Sequence, residues 1–147
     1  MKGQKEAALA ELVCELGRNC SFKENYFAAS FNLSPTQVRF LKLFTHRESF
    51  TIKELCELLK LSNGRITQII STLETKKLVS RKADPKDKRN IIVSLLPESK
   101  LFIKNILNNY RELHKIILAE VGEKKKEEII KALEILLEAI QKWAKDK

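Results

Sequence analysis

The chain has little of what disulfides, metal centres, enzymes and membrane spans require. Three cysteines, Cys14, Cys20 and Cys56, stand in 147 residues. Their number is odd and no two sit at CxxC spacing, which argues against a disulfide frame or a zinc knuckle. His46 and His114 are the only histidines, and no two His or Cys fall at ligand spacing on one helix face, so no metal is expected. Two histidines also leave little for acid–base chemistry. There is no Ser/His/Asp set and no glycine-rich phosphate loop, so neither an enzyme nor a cofactor is expected. No apolar run reaches the roughly 18 residues of a membrane span. The start, MKGQKEAALAELVCEL, has no compact apolar core and no small-residue cleavage site. A leader peptide is therefore not expected, and a cytoplasmic location is the default.

What the chain does have is apolar content and a displaced charge. Hydrophobic residues make up 44%, enough for a real core in one domain with helical appendages. The net charge is +9. Residues 1–33 and 120–147 are each neutral, whereas residues 34–97 carry 13 basic and 6 acidic groups, a net of +7. A basic excess confined to one segment is the footprint of a nucleic-acid interface.

That segment contains the most informative stretch, Ser62 to Leu95. Ile66, Ile69, Ile70 and Leu73 fall at i, i+3, i+4, i+7 and define the buried face of a helix. Its other side carries Gly64, Thr67, Gln68 and Ser71, with Asn63 and Arg65 nearby. Such a face can pair with base edges in the major groove. Two β-prone runs follow, Leu78–Lys82 and Asn90–Leu95, around the charged loop Ala83–Arg89. Lys86, Lys88 and Arg89 at its tip suit phosphates or a minor groove. The pattern predicts a mainly α (α+β) winged helix-turn-helix with a two-stranded β wing.

Upstream, Ser34-Pro35-Thr36-Gln37 reads as a capped helix start, with Ser34 as N-cap, Pro35 at N1 and Gln37 completing a capping box. Thr51 and Glu54 repeat the box at the next helix, whose expected buried side is Ile52, Leu55, Cys56 and Leu59. Thr51–Leu59 and Ser62–Lys77 then form the helix-turn-helix, with Ser62 or Asn63 capping the reader. Lys53 and Lys76 suit phosphate contacts, and the helix start at Thr36 offers backbone N–H donors.

The flanks are amphipathic. Residues 5–31 read as mostly helix with a stripe of Leu9, Leu12, Val13 and Leu16, and Gly17–Ser21 leaves open whether it is continuous or is interrupted or bent there. A long helix from Glu98 to about Val121 and a last one from Gly122 onward carry broad apolar stripes. One small winged domain cannot cover them. A two-fold dimer would, and it would set two reading helices about 34 Å apart, one DNA turn.

The carrying residues are Leu33–Gln37, Leu61-Ser62, Ile66–Ile70, Leu73-Glu74, Leu78-Val79, Arg81, Asp84–Arg89 and Val93 to Glu98. In them the sequence resembles the MarR family of transcriptional regulators. The wing's Asp87-x-Arg89 is the most specific element: a carboxylate two residues from an arginine can hold the guanidinium in one pose. The resemblance implies a homodimer on a palindromic operator of double-stranded DNA, most often as a repressor. It implies dimerisation helices at 1–32 and 98–147 around a DNA-binding domain at 33–97. It also implies a small aromatic or anionic effector in many members, for which Phe22, Tyr26, Phe40, Tyr110 and His114 are the candidate lining. The sequence departs from the family pattern at Lys77, usually glycine, at Leu96, usually threonine, and at Ser99, often glycine.

Two other readings follow from the same residues. One is a winged helix that binds proteins and has no operator. The other is a redox-sensing regulator using Cys14 or Cys20. Around Cys14, Glu11 and Glu15 oppose a thiolate and Arg18 favours it.

Overall fold

The computed structural model describes residues 2–147, with six α-helices and one small antiparallel sheet among them. Helix α1, Lys2–Ser30, is continuous. Gly17–Ser21, where the sequence left continuity open, forms no break: Gly17 has open space around it, and Asn19 and Asn25 bond back to the carbonyls of Glu15 and Ser21 on the same helix. The helix ends where Asn32 takes φ 56°, with Leu33 N–H donating to Ala28 O and Asn32 N–H to Ala29 O. This is a Schellman motif, and asparagine tolerates its left-handed position.

Helix α2, Pro35–Lys42, starts with the expected capping box: Ser34 Oγ accepts from Gln37 N–H at 3.2 Å and Gln37 Oε1 from Ser34 N–H at 2.9 Å. Helix α3, Ile52–Leu59, has the same device, built from Thr51 and Glu54. It buries Leu55 and Leu59 only; Ile52 and Cys56 stay half-exposed, so its inward stripe is narrower than the spacing suggested. Helix α4, Asn63–Thr75, is capped by Ser62.

Strands β2, Val79–Ala83, and β3, Ile91–Leu95, form the wing hairpin in the register Arg81↔Val93. A short strand β1, Ser49–Thr51, pairs with the other edge of β3, giving the order β1-β3-β2. The wing is therefore part of a three-stranded sheet, where the sequence suggested two strands. Three residues are too few to show a period, and pairing with β3 is what makes them a strand.

The core lies under α4. Phe40, Leu41, Leu55, Ile66, Ile70, Leu73, Val79, Val93 and Ile106 are fully buried, and Phe44 and Phe50 meet edge-on at 4.9 Å. Pro97–Ser99 forms a single 3-10 turn ahead of α5, Lys100–Ile117. Leu96 gives that turn no side-chain cap, but Ser99, itself buried, sets its hydroxyl 2.9 Å from Leu78 O and 2.7 Å from Leu96 O. Helix α6 is Glu123–Lys145. The chain folds as two units, one reaching Asn108 and the other comprising Asn109–Lys147. Every described residue of the second unit is at least partly exposed.

Candidate nucleic-acid interface

Helix α4 turns its faces as the apolar spacing requires. Ile66, Ile69, Ile70 and Leu73 are buried, while Asn63, Gly64, Arg65, Gln68 and Ser71 are exposed and Thr67 is half-exposed. The exposed side chains are already linked. Thr67 Oγ1 lies 3.3 Å from Asn63 Oδ1, Arg65 donates from Nη1 to Gln68 Oε1 at 3.4 Å, and Ser71 Oγ accepts from Arg81 Nη2 at 3.4 Å. The amide N–H groups of Asn63 and Gln68 and the guanidinium of Arg65 form a donor-rich surface, suited to acceptor atoms such as guanine N7 and O6.

The wing loop is closed by its own backbone. Asp84 N–H donates to Asn90 O and Asn90 N–H to Asp87 O, each at 2.9 Å. Asp84 Oδ1 accepts from Lys86 N–H. Asp87 Oδ1 accepts from Arg89 N–H at 3.1 Å and lies 3.5 Å from Arg89 Nε, so the Asp87-x-Arg89 pair forms as the sequence suggested. The Arg89 side chain is 94% exposed, and Lys86 and Lys88 are exposed beside it. An exposed pair of this kind contributes little stability; its effect is to limit the poses of a projecting guanidinium.

The remaining expected positions are less uniform. Lys53 is exposed in the first turn of α3. Thr36 is half-exposed in the first turn of α2. Lys76 differs from expectation: its ammonium donates to Asn32 O and ties the end of α4 to the α1–α2 turn. Spacing along α4 does not reveal that, because Asn32 lies 44 residues away. At Thr51 the N–H is taken by Glu54 Oε2, and Glu54 also receives both bonds from Arg47 Nη2, so that helix start is internally satisfied.

The residues suggested for an effector are dispersed. Phe40 has no exposed surface and packs on Phe44 at 5.7 Å, so it has no face left for a ligand. Phe22 and Tyr26 stack on each other at 6.5 Å on the open side of α1. Tyr110 and His114 pair at 4.2 Å one turn apart on α5. None of the five lines a cleft of about 690 Å³ whose walls combine Phe44, Leu95, Ile103 and Leu107 with His46, Arg47, Glu48, Lys100 and Lys104. Cys14 is exposed, Cys20 and Cys56 are half-exposed, and all three are free thiols. Among the described residues no helix is long and apolar enough to cross a membrane.

Sequence reasoning left Arg81 and Glu74 out of the site. Arg81 Nε pairs with Glu74 Oε1 and Nη2 reaches Ser71, which joins the wing's first strand to the polar side of α4. Their opposite charges were legible; that β2 passes beside this part of α4 was not.

A capped helix-turn-helix followed by a hairpin with a basic tip defines a winged helix-turn-helix protein. Residues 33–91 match the family model of the MarR family. The chain is 26% identical over 145 residues to a Bacillus subtilis protein described as the uncharacterised HTH-type transcriptional regulator YcgE, covering 96% of this chain and 94% of that one. Among solved structures it resembles Streptococcus pneumoniae FabT in complex with DNA, with a TM-score of 0.80, 15% identity and coverage of 94% and 99% of the two chains. It also resembles a mutant of Escherichia coli MarR complexed with operator DNA, with a TM-score of 0.74, 20% identity and coverage of 90% and 93%.

Proposed function

We propose that the protein is a DNA-binding transcriptional regulator that acts as a homodimer on a palindromic operator, most simply as a repressor. The observation that carries this reading is the pairing of a donor-rich face on α4, uncharged but for Arg65, with a cationic wing tip, within a segment of matching family and a net charge of +7. Helix α4 enters the major groove, while Arg89 reaches the narrow minor groove beside it. Lys53, Lys86 and Lys88 grip phosphates. Regulators with this fold in complex with DNA support the same reading.

The dimer is supported by apolar surface that each unit leaves open. Leu9, Leu12 and Leu16 are exposed on α1, and Ile130, Leu133, Leu137 and Trp143 on α6. Stripes of this extent mark association surfaces. The 690 Å³ cleft, whose lining sets Arg47, Lys100 and Lys104 against one carboxylate, Glu48, beside apolar side chains, suits a small aromatic or anionic effector.

The test is selection of duplexes from a random pool by the purified chain, followed by anisotropy at two salt concentrations, with and without benzoate. The expected result is a two-fold symmetric sequence bound by two chains, retained at the higher salt when scrambled DNA is lost. Saturable release by benzoate is expected, and an unchanged complex would remove the effector. Equal, salt-sensitive binding to selected and scrambled duplexes would leave an electrostatic grip and favour the protein-interaction reading.

A further inference from the structure

We propose that Arg81 is a positioning residue that fixes the angle between the wing and the reading helix, acting on DNA only through Arg89. The inference rests on the regulator reading above.

The sheet's geometry makes the wing a lever. β1 pairs with β3 only from Ser94 to Ile92, whereas the β2–β3 hairpin runs one pair further, to Ala83↔Ile91, and on to the loop. Beyond Ile92 the hairpin has no third strand to steady it. At about 3.3 Å per residue, a small rotation at its root moves the tip by several ångströms. Arg81 sits at that root, opposite Val93. Its Nε pairs with Glu74 on α4, and its Nη2 donates to Ser71 Oγ one turn earlier on the same helix. The two side chains are only 32% and 33% exposed, so their attraction is screened less than that of a surface pair. A guanidinium is planar and carries its donors in a fixed fork, so two bonds to one helix fix an angle, whereas a lysine ammonium would supply a single point of contact.

The bond from Arg81 occupies one acceptor position of the Ser71 hydroxyl and leaves its O–H to donate, so Ser71 both anchors the wing and faces the groove. By this account the reading helix and the minor-groove arginine are one unit with a set spacing.

The experiment is a double-mutant cycle on the full chain, using a duplex selected by the wild-type protein and a scrambled duplex of equal length. Arg81→Lys keeps the charge beside Glu74 and removes the fork; Arg81→Gln with Glu74→Gln replaces the ion pair and guards against a misfolded single variant. Melting curves establish that each is folded. In the wild-type background Arg89→Ala is expected to weaken binding of the selected duplex about tenfold, and in either altered background less than threefold. Lys53→Ala is expected to cost the same factor in all backgrounds, and scrambled DNA to bind all Arg81 variants alike. An equal cost of Arg89→Ala in every background would overturn the positioning role while leaving the regulator reading intact. If the wild-type chain enriches no duplex, the regulator reading falls first and the positioning role with it.

Discussion

Lys77 shows how much one backbone angle can cost. It stands at φ 59°, in the left-handed region, immediately after α4. Its N–H donates to Glu74 O at 2.9 Å, and Leu78 N–H donates to Leu73 O at 3.0 Å, so it occupies the C′ position of a Schellman motif. A side chain with a Cβ is strained there, and glycine is not. Lys77→Gly is therefore expected to stabilise the chain by about 0.5–1 kcal/mol, the relief of strain being partly offset by the entropy of a freer unfolded chain. Urea unfolding of the two proteins measures it; a lower midpoint for the glycine variant would mean that the lysine side chain makes a contact outweighing the strain. The glycine of the family pattern is missing from the sequence at this position, yet the turn is unchanged, because the hydrogen bonds of the motif hold lysine in it. Ser99 is a second such case, where a buried hydroxyl reaches Leu96 O in a turn with no side-chain cap.

The helix starts were legible as elements because capping is local. Ser34–Gln37 and Thr51–Glu54 need only four consecutive residues each, and both boxes form. The second has a titration consequence. The Thr51 N–H first, and then the Arg47 side chain, hold the Glu54 carboxyl below its ordinary value of 4.5. A depressed folded pKa contributes stability that is present above pH 4.5 and is lost as pH falls through and below that value. Glu54→Gln is expected to lower stability near neutrality and to flatten its fall in acid. Urea midpoints of both proteins at pH 7 and at pH 3, with Arg47→Gln as a second check, measure the slope; parallel curves would reject the linkage. The helix boundaries were less legible. α4 ends at Thr75 rather than Lys77, and α5 ends at Ile117 rather than near Val121. An apolar period runs smoothly past the residue where a helix closes its last hydrogen bond.

For the whole molecule, the open question is what covers the flanking helices. Leu12 is 64% exposed on α1 and Trp143 64% on α6, with Leu133 between neighbours of the same character. Two copies covering these faces for each other would remove them from water, at about 25 cal/mol for each Å² buried. Leu12→Glu and Leu133→Glu touch no buried core position, so both variants are expected to fold. Each is expected to shift the chain from dimer to monomer in light scattering and to weaken binding of the selected duplex with a shallower salt slope, since one reading head neutralises half as many phosphates. Unchanged dimers in both would place the association surface elsewhere.

The sequence by itself determined what depends on neighbours a few residues apart. The buried face of α4, both capping boxes, the hairpin and the Asp87-x-Arg89 pair are local, and the charge displaced into residues 34–97 is a property of the string alone. Only the tertiary structure decided which separate elements meet and which side chains they bring together. β1 became a strand by pairing with β3 more than 40 residues on, Lys76 turned from solvent to Asn32 O, Phe40 closed into the core, and Arg81 met Glu74 and Ser71. The physical reason is the same in each case. A propensity or a cap is satisfied within one turn of chain, whereas a strand partner or an ion pair is chosen by the path the backbone takes after the core has formed.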